Sequence, residues 1–179
     1  MSSKKNIETI AKRIRDIPDF PKEGIIFKDI TPVLSDIETF RTSVKEMAAP
    51  FMNHKIDVVV GIESRGFIFG APIADILGCS FVPVRKPGKL PYKTTSVSYE
   101  LEYGNDSLEL HEDAFDSGDN ILIVDDLLAT GGTARAACDL VSNLGGKIVG
   151  FSVLIELEFL KAREKLNQYN IHSLVKYET

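Results

Sequence analysis

The chain has only two cysteines and three histidines among its 179 residues. Cys79 and Cys138 are too few and too far apart for a disulfide framework or a Cys-x-x-Cys metal site. We interpret both as small core residues of a protein in a reducing compartment. His54, His111 and His172 show no metal-ligand spacing, and we interpret them as surface or structural residues.

The chain also lacks an excess of positive charge and a long apolar run. Its net charge of -5 argues against general binding to nucleic acid or to an anionic membrane, so any anion site must be local. Ile7, Ile10, Ile14 and Ile17 form a helical stripe interrupted by basic residues, unlike the core of a signal peptide. No stretch approaches the length of a membrane span. We therefore expect a cytoplasmic protein that binds neither nucleic acid nor membrane.

The length and the 44% hydrophobic composition predict one compact domain, residues 1–179. Apolar strand patterns alternate with helical ones through the middle of the chain. This order predicts a doubly wound α/β core, a mostly parallel sheet flanked by helices. The predicted strands are 57–62, 80–84, 120–125 and 147–155, and the predicted helices are 67–77 and 133–144.

Other segments depart from this alternation. Residues 94–103 and 107–111 alternate in polarity around a turn at 104–106, which predicts an antiparallel hairpin. We expect it to project from the sheet as a flexible flap within a loop region at 85–111. The first 35 residues fit neither pattern, and we expect them to form a hood over the carboxyl edge of the sheet. A late helix at 159–169 and an edge strand at 171–177 complete the prediction.

An acidic pair and a glycine loop follow the predicted strand at 120–125. Asp125 and Asp126 fall at the carboxyl end of this apolar strand, the edge where open α/β sheets bind ligands. Such carboxylates are costly in an apolar run unless something partners them. The loop after them suits a phosphate, since its glycines allow close approach and the next helix offers its amino terminus. The loop residues are Ala129, Thr130, Gly131, Gly132 and Thr133. The alternative is the polar end of a strand followed by a generic turn.

A second loop and a basic cluster repeat this logic. The segment Gly61-Ile-Glu-Ser-Arg-Gly-Phe67 also runs from an apolar strand through a polar loop into a helix, which predicts a second anion site beside the first. Arg85, Lys86 and Lys89 concentrate positive charge after the next predicted strand. Solvated surface is the ordinary interpretation of such a cluster, and contact with a departing anion is the one we favour here.

These motifs resemble a known family. The segment 124–134 is similar to the 5-phosphoribosyl 1-pyrophosphate (PRPP) signature of the type I phosphoribosyltransferases. The segments 20–32 and 85–91 resemble the adenine phosphoribosyltransferases within that family, and the match extends over nearly the whole chain. The resemblance implies the type I fold and transfer of phosphoribose from PRPP to adenine, which yields AMP and pyrophosphate in purine salvage.

The resemblance also implies roles for the two loops and the basic cluster. Asp125 and Asp126 would hold the ribose hydroxyls, and the loop 129–133 would hold the 5′-phosphate. Glu63 and Ser64, joined by a cis peptide bond, would receive the pyrophosphate. The cations implied to act on the pyrophosphate are Arg65, Arg85, Lys86 and Lys89.

The implied base site lies elsewhere in the sequence. Ile26 would bind adenine through its backbone, Phe27 would stack on the ring, and Lys28 would line the entrance where many relatives carry arginine. Leu157 would form the other wall of the pocket. Glu102 would manage the purine proton.

Mg²⁺ and a homodimer are further implications of the family. The metal would be held mainly by PRPP, pyrophosphate and water, with no direct protein ligand. Two alternatives stay open at this point: a hypoxanthine or guanine phosphoribosyltransferase, and a PRPP-sensing regulator of the same fold. The regulator would need a helix-turn-helix or a basic face, and the sequence has neither.

Overall fold

A computed structural model describes residues 3–100 and 105–179. The chain divides into two compact units, Met1–Glu46 and Met47–Thr179. In the first unit a two-stranded antiparallel sheet is accompanied by helices, and Ile10, Ile30 and Val33 are buried. Its elements are α1 Ser3–Ala11, β1 Arg15–Ile17, β2 Phe27–Asp29, α2 Thr31–Leu34 and α3 Ile37–Ala48, of which the last two residues are counted in the second unit.

The second unit contains a five-stranded sheet and a separate two-stranded one. Its strands are β3 Val58–Ile62, β4 Ser80–Val84, β5 Thr94–Glu100, β6 Asn105–His111, β7 Asn120–Leu128, β8 Lys147–Leu157 and β9 Ile171–Tyr177. Its helices are α4 Gly66–Leu77, α5 Gly132–Asn143 and α6 Ala162–Lys165, with short 3₁₀ helices at Ala49–Phe51 and Glu158–Leu160.

The large sheet has the order β4-β3-β7-β8-β9, and its strand pairs are parallel. All five residues of β3 are buried, as are Ile121 to Val124 of β7, which explains why both read as unbroken apolar runs. The predicted α/β class with a parallel sheet flanked by helices is confirmed. β4 follows β3 in the chain and pairs with one side of it, whereas β7 pairs with the other side. This reversal creates a topological switch point between β3 and β7, where ligands bind in open α/β sheets.

The predicted strand at 120–125 ends too early. β7 runs on to Leu128 because Asp125, Leu127 and Leu128 keep their parallel pairing with β8. The acidic pair therefore lies within a hydrogen-bonded strand, and the paired backbone limits its movement. The strand after α5 likewise reaches Leu157, not residue 155.

The antiparallel hairpin is present, since β5 pairs with β6. Our expectation that it projects from the sheet is wrong for its described part. Leu108 and Leu110 are fully buried in the main core, and Val97 and Tyr99 pack against that core. The apolar face of the alternating pattern is thus seated on the domain. Residues 101–104, at the turn, lie outside the described residues.

The predicted helix at 159–169 is also wrong. The segment forms the 3₁₀ turn Glu158–Leu160 and the single-turn helix α6, separated by Lys161 at a φ of 53°. A left-handed residue cannot continue an α-helix, so the apolar spacing across it does not describe one face. Among the described residues, no helix is long and apolar enough to cross a membrane.

Candidate active site

A cavity of about 260 Å³ lies at the switch point between β3 and β7. It is lined by the loop after β3, the end of β7, the loop before α5, and parts of the basic segment and hairpin. The lining residues are Glu63, Ser64, Arg65, Lys86, Tyr99, Leu108, Asp125, Asp126, Leu127, Leu128, Ala129, Thr130, Gly131, Gly132, Thr133 and Ala134. The structure therefore brings together both predicted anion loops and one of the predicted lysines.

The acidic pair has two different environments. Asp126 is 5% exposed, and its Oδ2 lies 2.9 Å from Nε of Arg65. The backbone amide of Asp126 donates a 2.8 Å hydrogen bond to Oδ1 of Asp125. Burial raises the pKa of Asp125 well above its usual value, and the charge of Asp126 raises it further. Burial also raises the pKa of Asp126, although the charge of Arg65 opposes this.

The loop after β7 leads directly into α5. Gly131 precedes the helix at a φ of 80°, a left-handed conformation that favours glycine. The backbone of Gly131 accepts the first helical hydrogen bond, 2.9 Å from the amide of Arg135. The amino-terminal turn of α5 therefore opens beside the cavity, where its amide groups and its dipole suit an anion.

The loop after β3 contains the predicted cis peptide bond between Glu63 and Ser64, which is confirmed. The Glu63 carboxylate accepts hydrogen bonds from Nε and Nη2 of Arg85 at 3.2 and 3.3 Å, and from the amide of Lys86 at 2.7 Å. Burial opposes its ionisation, but these donors lower the pKa of Glu63 overall. Glu63 thus fastens the start of the basic segment to this loop.

Tyr99 is a cavity residue that the sequence reasoning missed. Its hydroxyl lies 3.3 Å from Oγ1 of Thr133, 3.2 Å from Oδ2 of Asp106 and 3.4 Å from Nζ of Lys86. Lys86 Nζ also forms an ion pair with Asp106. The available signal was the alternation of β5, which puts Tyr99 on the same inward face as Val97.

Comparison with known proteins identifies the family. The sequence profile described as "Phosphoribosyl transferase domain" matches residues 34–176. The chain is 55% identical to adenine phosphoribosyltransferase of Nitrosococcus oceani over 171 residues, which covers 96% of this chain and 100% of the relative. The chain belongs to the adenine phosphoribosyltransferase family. It is accordingly an enzyme of the pentosyltransferase class, as the resemblance implied.

Solved structures of the adenine phosphoribosyltransferase family agree with this fold. The enzyme from Thermoanaerobacter pseudethanolicus is 55% identical, with a TM-score of 0.93 over 96% of this chain and 99% of that chain. The enzyme from Saccharomyces cerevisiae is 40% identical, with a TM-score of 0.90 over 96% and 99%. That structure is a complex with an imino-altritol bisphosphate and adenine.

Other residues predicted from the family resemblance are not among the residues that line this cavity. Arg85 forms an ion pair with the cavity residue Glu63, and Lys89 is exposed. Leu157 ends β8, paired with Tyr177 of β9. Glu102 lies outside the described residues. The roles given to these residues stay predictions.

Three predicted adenine-binding residues belong to the first unit. Phe27 and Lys28 lie in β2, which begins directly after Ile26. Ile26 itself is 55% exposed. The ring of Phe27 packs edge-to-face on Phe20 at 5.2 Å between centroids. Lys28 Nζ lies 2.7 Å from Oδ1 of Asp16. Their roles toward the base also stay predictions.

Proposed function

We propose that this chain transfers the phosphoribosyl group of PRPP to adenine through the cavity between β3 and β7. The bond from the anomeric carbon to pyrophosphate breaks, a bond to a purine nitrogen forms, and that nitrogen loses its proton. The observation that carries this proposal is the convergence of the acidic pair, the glycine loop and the pyrophosphate loop on one cavity. Adenine as the base is supported by the relatives that the chain matches along nearly its whole length.

Asp125 and Asp126 hold the ribose hydroxyls in this proposal, and residues 129–133 hold the 5′-phosphate. Hydroxyl donors from the sugar would offset the desolvation that raises the pKa of both carboxylates. The ionised pair would then lie near the anomeric carbon as positive charge develops there. Holding both ends of the sugar also fixes the reacting carbon relative to the base.

Arg65 and Lys86 stabilise the departing pyrophosphate, assisted by Arg85 and Lys89. Arg65 and Lys86 line the cavity. Arg85 precedes Lys86 in the chain, and its side chain is held by Glu63. Preorganised cations at the leaving group favour the transition state, in which negative charge grows on the pyrophosphate oxygens. Lys89, being exposed, would have to move toward the ligand with its loop.

The carboxylates of the cavity suit Mg²⁺, which prefers oxygen ligands and keeps several waters. Asp125 and Asp126 are the candidates to hold it, through water or through the sugar. Within the described residues, no group of three or more His, Cys, Asp or Glu side chains is placed to hold a metal ion. We propose that the ion is bound mainly by PRPP, pyrophosphate and water. The ion would neutralise charge on the leaving group.

The base and its proton involve residues outside the cavity. Ile26, Phe27, Lys28 and Leu157 would bind adenine, and Glu102 would accept the purine proton. The support for these roles is the match to the family motifs at residues 20–32 and around Glu102. We further propose that the chain acts as a cytoplasmic homodimer, as its family resemblance implies.

Formation of AMP from adenine and PRPP tests the function directly. The purified chain with Mg²⁺ should produce AMP and pyrophosphate in equal amounts, and hypoxanthine or guanine in place of adenine should react much more slowly. Chromatographic separation of the nucleotides gives both rates in one assay. Absence of AMP, or faster nucleotide formation from hypoxanthine or guanine, would overturn the proposal.

A further inference from the structure

Three cations at the proposed pyrophosphate site are each paired with a carboxylate. Arg65 pairs with Asp126, Arg85 with Glu63, and Lys86 with Asp106. The positive charge that should attract pyrophosphate is therefore partly neutralised by the protein itself. An incoming anion must compete with these acids for the cations.

The three acids differ in how firmly the core holds them. Asp126 is buried within β7, and Glu63 also accepts the amide hydrogen of Lys86. Asp106 instead belongs to β6 of the hairpin, directly opposite Tyr99 of β5. The ion pair is also more open to solvent, since the side chains of Lys86 and Asp106 are 40% and 26% exposed. Ion pairs weaken as their exposure to solvent increases, so of the three pairs this is the one that an anion displaces most easily.

Asp106 keeps other hydrogen-bond donors when Lys86 leaves. Its Oδ1 accepts the amide hydrogen of Ser107 at 2.8 Å, and its Oδ2 lies 3.2 Å from the hydroxyl of Tyr99. Loss of Lys86 therefore does not strand a carboxylate without partners. The Tyr99 hydroxyl is in turn within 3.3 Å of Thr133, so the hairpin contacts the phosphate loop at the same point.

We propose that Asp106 is an internal competitor for pyrophosphate, which occupies Lys86 in the free enzyme and is displaced when the anion binds. The proposal rests on the proposed function, which makes Lys86 a ligand of the pyrophosphate group. Asp106 is thus a positioning residue that weakens binding of PRPP and pyrophosphate and speeds product release. Pyrophosphate can displace it because it carries more negative charge than one carboxylate.

The test is the affinity for inorganic pyrophosphate of the full chain, measured by calorimetry with Mg²⁺ present. Asp106→Asn keeps the size and an acceptor oxygen but removes the charge. We expect its Kd for pyrophosphate to fall about two- to fivefold, the upper part of the range for exposed ion pairs. The KM for PRPP should fall with it, whereas the Kd for AMP, which lacks the pyrophosphate, should stay within about twofold.

Two variants control this measurement. Asp113→Asn removes the same charge from an exposed position in the turn after β6 and should leave the Kd for pyrophosphate unchanged. In a Lys86→Met background, Asp106→Asn should have no further effect, since Asp106 acts through that lysine. An unchanged or higher Kd in the single variant, or an equal gain in the Lys86→Met background, overturns the inference. AMP formation by the parent enzyme is measured separately, so failure of the proposed function is distinguished from failure of this inference.

Discussion

Two adjacent carboxylates with different surroundings form the centre of this site. Asp126 has Arg65 as a counter-ion at 2.9 Å. The pKa of Asp125 is instead influenced most by burial and by the charge of Asp126. Ionised Asp125 is therefore unfavourable in the free protein until a ligand supplies hydrogen-bond donors. The same residue should lower the stability of the free enzyme and raise its affinity for a sugar.

Asp125→Asn separates these two effects. Its kcat/KM for PRPP should fall about ten- to a hundredfold, because a hydrogen bond to a charged group contributes about 1.5 to 3 kcal/mol. Its free energy of unfolding should rise at neutral pH, since the desolvated charge is gone. The raised pKa of Asp125 means that the neutral acid stabilises the fold below the ordinary value of 3.8, and that this contribution is lost as pH rises through the folded value. The stability gain should therefore grow with pH above about 4.

Urea unfolding between pH 4 and pH 8, together with steady-state kinetics, measures both effects. Asp75→Asn, an exposed acid on α4, is the matched control and should change neither quantity appreciably. A variant at Asp125 that is less stable at pH 8 and keeps the parent kcat/KM would contradict the assignment.

At the level of elements, two strand-loop-helix units create the site. β3 leads through residues 63–65 into α4, and β7 leads through residues 129–131 into α5. Both strand-loop-helix segments could be predicted because each has a local signature, an apolar run followed by polar and glycine residues and then a helical pattern. The packing of the hairpin on the core could not be predicted, since alternation identifies an apolar face but not the surface that it covers. The broken helix near Lys161 had no local signal either, because basic residues rarely adopt a positive φ.

Gly131→Ala tests the loop before α5. A Cβ there would lie 3.1 Å from Cβ of Ala162 and 3.2 Å from its carbonyl oxygen, and a left-handed non-glycine residue costs about 1 to 2 kcal/mol in addition. The loop should shift, so the Kd for AMP should rise about tenfold or more while that for free adenine changes little, since only AMP carries the phosphate.

Gly78→Ala is the control for backbone strain. Gly78 ends α4 at a φ of 67°, with open space where a Cβ would stand. Gly78→Ala should lower the free energy of unfolding by an amount similar to the backbone cost at Gly131, while the Kd for AMP stays at the parent value. Calorimetry with AMP and adenine compares the two variants, and equal losses of AMP affinity would show that the loop at Gly131 acts only through stability.

At the level of the whole molecule, the site depends on pairings between segments far apart in sequence. Glu63, Tyr99 and Asp125 meet because β3 and β7 are parallel neighbours, with Gly61 opposite Val124, and because the hairpin packs on the same core. The general rule that parallel strands end at one edge predicted that the two loops would meet. It did not predict the network of Lys86, Tyr99 and Asp106, because that network requires the register of the hairpin as well as its place on the domain.

An ion pair with a buried carboxylate joins α6, β8 and β9 at the β9 edge of the sheet. Glu156 of β8, with a side chain 2% exposed, accepts hydrogen bonds from Nε and Nη2 of Arg163 at 2.6 and 2.8 Å and from Oγ of Ser173 at 2.5 Å. Burial opposes ionisation, but these donors lower the pKa of Glu156 overall. A lowered pKa stabilises the fold above the ordinary value of 4.5, and this contribution is lost as pH falls through the folded value.

Glu156→Gln should therefore destabilise the protein in a pH-dependent way. At pH 7 the free energy of unfolding should fall by about 1 to 3 kcal/mol, because the charged hydrogen bonds to Arg163 are lost from a buried position. The difference from the parent should shrink as pH falls below about 4.5, because the unfolded parent chain then binds a proton at Glu156 that the folded carboxylate, with its lowered pKa, does not yet bind. Glu158→Gln removes the same charge from a more exposed pair with Lys176 and should cost about 0 to 1 kcal/mol. Urea unfolding of the three proteins at pH 7 and pH 4 gives the comparison. If Glu156→Gln lowers the free energy of unfolding equally at both pH values, the packing of this side chain, and not its charge, stabilises the contact of α6, β8 and β9.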